Sequence, residues 1–263
     1  MDSNQRNTIV VVMVGVALVA GGVGFALGRA GREQAPEDAA SPRPTLTIPA
    51  NVPTDDANPP VSPAADVLSI DGRLLVPGDQ EIVAAPESAA CNLLVTPGWS
   101  GECGQISVAG DRAVWVVESR AVGAGATARS VRVLTYSSEA AGWVTRLSAT
   151  DADGSRWSNI GVAAADLTGD GGDELVVGFR DAGTDATLSY DVVAVSAGGV
   201  AEVLAHGGPL PDGAVTLQNG LTDYALVSST TYARRAFVFS DGLFLATDVE
   251  EVPATTVPAS QIG

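Results

Sequence analysis

Residues 166 to 178 read Asp-Leu-Thr-Gly-Asp-Gly-Gly-Asp-Glu-Leu-Val-Val-Gly, and they carry the plainest chemistry in the chain. Side-chain oxygens fall at alternate positions, Asp166, Thr168 and Asp170, and Glu174 closes the run. Glycines at 169, 171 and 172 allow the backbone to fold back tightly. A hard cation such as Ca2+ takes about six to eight oxygen ligands at short range, and a folded-back acidic loop can supply them. The segment therefore predicts a turn stapled by structural calcium, against the plainer alternative of an acidic, glycine-rich surface turn without metal.

The flanks narrow the type of loop. An EF-hand needs an acidic ligand at its twelfth position. Counted from Asp166 that position is Val177, inside the β-branched run Leu175-Val176-Val177, which reads as a strand. The closing ligand then falls at the ninth position, Glu174, and Ile160 to Ala165 reads as the strand before the loop. Strand, nine-residue acidic loop and strand together resemble the FG-GAP or VCBS-type repeat, the calcium loop of integrin-α-like β-propellers. The resemblance implies side-chain ligands from Asp166, Thr168, Asp170 and Glu174 and a carbonyl ligand from Gly172, with Asp173 adding only charge. The chain departs from that pattern where Thr168 replaces an acid or amide and Glu174 replaces a shorter Asp. The likeness covers one loop and its two strands. A second stretch, Asp151 to Asn159, has oxygens at similar positions, but Arg156 lies inside it and an Asp-rich turn explains it better.

Little else points to catalysis. His206 is the single histidine and sits in Ala-His-Gly-Gly-Pro, which reads as a solvated turn. Neither a Gly-x-Ser-x-Gly elbow nor an HExxH helix is present. All basic residues are Arg, as GC-rich bacterial coding favours, so Schiff-base chemistry and a Walker lysine are excluded. The plentiful acids leave a two-carboxylate glycosidase open as an alternative. The net charge of −17 argues against binding nucleic acid.

The remaining elements must position that loop. Thr8 to Gly28 carries no charge and is long enough to span a bilayer, so residues 8–28 are expected to form a transmembrane anchor behind a short tail, residues 1–7. A cleaved signal peptide is the competing reading. Ala20, Gly24 and Gly28 form a row of small residues through which two anchors could pack as a homodimer. Residues 29–65 are rich in Pro, Ala and Asp and read as an extended, disordered linker. Cys91 and Cys103 are expected to pair if this part lies outside the cytosol, with two free thiols or half a metal site as alternatives.

From 66 to 252 the pattern is short apolar runs punctuated by Gly, Asp and Ser every 8 to 12 residues or so, which indicates a mainly β domain. Three strand–turn–strand units recur loosely, around Val131–Val144, Asp191–Val200 and Ala236–Phe244. They suggest a propeller-like array of antiparallel hairpins, with a β-sandwich as the alternative. Trp115 and Trp143 lie in expected strands and read as core. Trp99 and Trp157 lie in turns and are the candidates for a surface that binds carbohydrate or peptide. Residues 253–263 read as a disordered tail.

The functional expectation is a single-pass membrane protein whose C-terminal domain sits outside the cytoplasm. It would be stabilised by calcium and act without catalysis in adhesion or envelope architecture, with a protein or cell-envelope glycan as ligand. The alternatives are a surface-anchored hydrolase with a purely structural calcium, and an accessory subunit of a membrane complex.

Overall fold

Leu175, Val176 and Val177 show no polar alternation because the strand that carries them has core on both sides. All three are fully buried. Leu175 and Val177 pack into one apolar cluster and Val176 into another. That strand is the key to a computed structural model that describes residues 67–262 apart from 109–111, 124 and 184–185. The expected anchor, with Ala20, Gly24 and Gly28, and the expected linker lie outside the described residues.

The described chain is mainly β and antiparallel, in three sheets. In the first sheet, β1 (Val76–Pro77) and β2 (Ile82–Val83) both pair with β6 (Gly142–Asp151). From there the order runs through β5 (Ala126–Ser137) and β4 (Ala113–Gly123) to β3 (Ser100–Ile106). The second sheet is a meander of β7 (Trp157–Ala165), β8 (Glu174–Asp181), β9 (Leu188–Val195) and β10 (Ala201–Leu210). The third repeats it with β11 (Ala214–Thr216), β12 (Thr222–Ser228), β13 (Thr231–Ser240) and β14 (Leu243–Pro253). The three hairpin units seen in the sequence are β5–β6, β9–β10 and β13–β14, the third and fourth strands of each meander.

Cores lie between the sheets. Val131, Val133 and Leu147 of the first sheet meet Leu175, Val177, Phe179 and Val193 of the second. Val176, Tyr190 and Val192 meet Val215, Phe237 and Phe244 of the third. A smaller cluster joins Val116, Leu134 and Trp143 to Ala85 and Leu94 on the outer face of the first sheet. There the bond between Cys91 and Cys103, with Cα atoms 5.8 Å apart, ties a short 3-10 turn (Cys91–Leu93) to β3.

One segment stitches the outer edges of all three sheets together. Val67 bridges Leu245 of β14, Ser69 bridges His206 of β10, and Val76 to Val83 pair with β6. At the opposite edge of the third sheet the Gln261 N–H donates to the Val215 carbonyl of β11 at 2.9 Å. Beyond it Ile262 is buried against Gly178 of β8, where a Cβ would come within 2.9 Å of the isoleucine side chain.

Several expectations change here. Leu93 to Val95, an apolar run of the kind that reads as a strand in the sequence, belongs to the turn closed by the disulfide. Strand β3 was not expected, because Ser-Gly-Glu-Cys-Gly-Gln-Ile is polar and glycine-rich. Residues 253–262, expected to be disordered, continue β14, form a short 3-10 turn (Ala254–Thr256) and seat Ile262 in the core. Trp157, expected at the surface, is 1% exposed and packs against Phe179 with ring centres 4.8 Å apart and planes tilted by 46°. Trp143 is buried and Trp115 half-buried, whereas Trp99 lies half-buried under the Arg120 guanidinium, 4.9 Å from the ring centre.

Candidate functional site

The acidic turn connects β7 to β8, where the sequence places it. Gly169 and Gly171 have φ of 78° and 87°, the left-handed region that lets the chain reverse without strain. Asp166 accepts the Gly169 N–H at 2.7 Å and the Gly171 N–H at 3.1 Å, one on each oxygen. Asp170 accepts the Gly172 N–H at 2.8 Å. Glu174 folds back over the turn. One oxygen takes the N–H groups of Leu167 (2.8 Å) and Thr168 (2.9 Å), and the other takes the Thr168 hydroxyl (3.2 Å). The Asp173 N–H donates to the Ser107 carbonyl at 2.9 Å and ties the turn to the end of β3.

Asp166 and Asp170 are exposed and Glu174 is buried. Burial raises the Glu174 pKa above the ordinary carboxylate value, against the lowering effect of its hydrogen bonds, and the charge of Asp170 raises it further. A cation ligand needs a lone pair aimed into a shared cage. Glu174, the ligand expected at the ninth position, instead uses both oxygens to close the turn on itself. Among the described residues no three His, Cys, Asp or Glu side chains converge closely enough to hold a metal ion. As arranged here, Glu174 closes the turn on itself, while Asp166 and Asp170 keep exposed carboxylates at its mouth.

The neighbouring stretch is likewise closed on itself. Buried Asp151 accepts the N–H groups of Gly154, Arg156 and Trp157, and Asp153 accepts from Ser155. Those contacts describe an Asp-rich turn.

Three polar clusters lie deeper than any that the sequence suggested. Asp191 is fully buried and accepts the Leu74 and Leu75 N–H groups at 2.8 and 2.7 Å through one oxygen. Its other oxygen meets His206 Nδ1 at 2.7 Å. His206 is thus a strand residue on β10 held by a buried acid, and no solvated turn. An Asp–His pair is two-thirds of a nucleophilic relay. No described hydrogen bond of His206 reaches a hydroxyl or thiol, and its Nε2 lies against Gly72, where a Cβ would come within 3.3 Å. The pair positions the strap between residues 69 and 75.

Asp223, also fully buried, accepts Tyr190 Oη at 2.8 Å from the second sheet and a bidentate Arg235 at 2.8 and 2.6 Å from the third. Glu118 accepts the Thr96 N–H and hydroxyl and pairs with Arg132 at 3.2 Å beneath the disulfide loop. The signal that could have found these acids is their place in otherwise apolar strands: an unpaired buried carboxylate is prohibitively costly, so each demanded partners.

A groove of about 430 Å³ opens between the first and second sheets, lined by residues of β3, β4, β5 and β7, among them Glu102, Val117, Ser119, Arg129 and Asn159. Sequence reasoning did not see it, since β3 itself was not expected.

No family model matches the chain, and no characterised protein or solved structure is detectably similar to it. No helix among the described residues is long and apolar enough to cross a membrane.

Proposed function

We propose that this chain is a non-catalytic binding module of the cell envelope, held by residues 8–28 in the membrane and displayed outside the cytoplasm. The observation that carries the reading is the Cys91–Cys103 bond, which persists in oxidising compartments and is rare in the cytosol. The three repeated meanders act as successive blades of an open, propeller-like array, in keeping with the FG-GAP-like character of the 166–174 turn. Its ligand is a protein, with an envelope glycan as the alternative. The placement predicts that protease added to intact cells removes the domain from the full-length chain. A domain that is protected until the cells are lysed would sink the reading.

The acidic turn acts in this reading as a self-closed joint, with Glu174 as its latch. Calcium binding is the second reading, favoured by the exposed carboxylates of Asp166 and Asp170 at the turn's mouth. The two part company in one melting experiment. Calcium binding would raise the melting temperature by about 5 °C or more at millimolar Ca2+, and Glu174→Gln would abolish the rise. A self-closed joint shows no such rise. Glu174→Gln then stays within about 1 kcal/mol of the parent at neutral pH, because an amide oxygen still serves the Leu167 and Thr168 N–H groups and the buried charge is gone. The raised folded pKa gives the sign of the pH effect. The folded state holds the proton more tightly than the unfolded one, so the Glu174 contribution falls as pH rises from the ordinary carboxylate value through its folded one.

A further inference from the structure

Among the described residues three buried polar atoms have no hydrogen-bond partner: Arg132 Nε, Thr145 Oγ1 and Trp157 Nε1. Of these, Arg132 also lines a cavity. A cleft of about 370 Å³ opens between β2 and the loop closed by the Cys91–Cys103 bond, with Arg132 of β5 beneath them. The Arg132 side chain is 7% exposed. Its Nη2 donates to the Leu94 carbonyl at 2.6 Å and to Glu118 at 3.2 Å, so its charge is already matched, whereas the Nε–H is left over. A donor buried without an acceptor carries its whole desolvation cost, and a molecule that brings an acceptor into the cleft removes that cost.

The walls of the cleft are apolar: Ile82 and Val83 on one side, Leu93 and Val95 on the other. Ile82 is 52% and Leu93 53% exposed, so an aliphatic body lying between them would take apolar surface out of water on both sides. The polar side chains of the lining narrow the acceptor. Thr96 spends its N–H and its hydroxyl on Glu118. Glu81 and Asn92 are exposed. A carboxylate brought to Arg132 would be repelled by Glu118, buried beside the guanidinium, and by Glu81. An ammonium has no lone pair to offer. An uncharged carbonyl oxygen satisfies the Nε–H without either conflict.

We propose that this cleft binds a small uncharged ligand with an aliphatic body and an amide group, whose carbonyl oxygen accepts the Arg132 Nε–H. Ile82, Val83, Leu93 and Val95 hold the body, and the Asn92 side chain offers a carbonyl to the amide's own N–H. The volume lies in the range of small-molecule sites, about 300–1,000 Å³. The inference goes beyond the binding-module reading. The site lies on the outer face of the first sheet and functions the same way wherever the domain is displayed, so its failure and a failure of the membrane placement are distinct.

The probe is hexanamide, titrated by calorimetry into the full-length chain in lipid nanodiscs, with hexanoate and hexylammonium as the charged counterparts. Saturable millimolar binding of hexanamide is expected, with both ions at least about tenfold weaker. Arg132→Lys keeps a cation for Glu118 and lacks the Nε–H, and should weaken hexanamide by about tenfold. Leu93→Asp, an exposed change that leaves the fold intact, should weaken it severalfold. Independently of any variant, one slowly exchanging Nε–H resonance of the nitrogen-labelled arginines should shift along the same saturation curve. The proposal is overturned by any of four results: no saturable binding, which would leave the cleft to water; hexanoate or hexylammonium bound as tightly as the amide; unchanged affinity in a folded Arg132→Lys; or saturation without movement of any arginine Nε–H.

Discussion

Asp223→Ala is expected to destabilise the fold by about 3–5 kcal/mol, because it strands a charge where water cannot replace the lost partner. Asp223 is the single acceptor that Tyr190 and Arg235 share, the first from the second sheet and the other from the third. Its removal leaves the guanidinium of Arg235, whose side chain is 12% exposed, without its counter-charge and the Tyr190 hydroxyl without an acceptor. Urea denaturation of the single variant and of Asp223→Ala with Arg235→Met separates this from a packing effect. Removing both charges should cost less than removing the acid alone. A double variant as unstable as the sum of the two singles would show that Asp223 and Arg235 do not act as a unit. The same cluster has an alkaline signature. Burial, followed by the charge of Asp223, holds the Tyr190 pKa well above the usual tyrosine value. The folded state therefore keeps its proton better than the unfolded one. The resulting contribution is complete below the ordinary tyrosine pKa and is lost as pH climbs from there towards the folded one. Tyr190→Phe should flatten that alkaline decline.

Asp191→Ala is expected to cost about the same, 3–5 kcal/mol or so, by a different route. Three donors lose their acceptor at once: the N–H groups of Leu74 and Leu75 and the Nδ1 of His206. Leu75 is fully buried, so no solvent reaches its amide to compensate. Asp191→Asn keeps one oxygen and should recover part of the loss. Hydrogen exchange locates the effect: the amides of residues 68–75 should open in Asp191→Ala while those of β4 and β5 stay protected. An Asp191→Ala protein within about 1 kcal/mol of the parent would mean that the strap is held by its apolar contacts alone.

Much of the architecture was readable from pattern. Alternation and turn residues located nearly every strand, and the recurring hairpins marked the same position in each of three meanders. The continuous apolar run at Leu175–Val177 announced a strand with core on both faces. Strand β3 escaped because its sequence has two glycines and little apolar content. It pairs through backbone groups, with Gly104 lying under the Trp115 ring and Gly101 under the Val117 carbonyl. Trp157 was misplaced because a turn ends one residue before it, and the strand that begins there points it inward. The spacing of the acidic turn was legible, and so was its location between two strands. The sequence could not show which way Glu174 points. Its extra methylene lets the carboxylate reach the Leu167 and Thr168 amides, a matter of reach rather than residue type. Long-range partners such as Asp191 with Leu74, 117 residues apart, leave no trace in local periodicity.

The strap has a mechanical consequence. A pull arriving through the chain before residue 67 meets β14 first, at the Val67–Leu245 bridge, then β10 at Ser69–His206, and only afterwards the two short pairings with β6. The contacts are thus loaded one after another, and the first two are single-residue bridges. Tension would peel the strap from its outer end like adhesive tape, and the Asp191 anchorage at Leu74 and Leu75 is the first place where that peeling must stop.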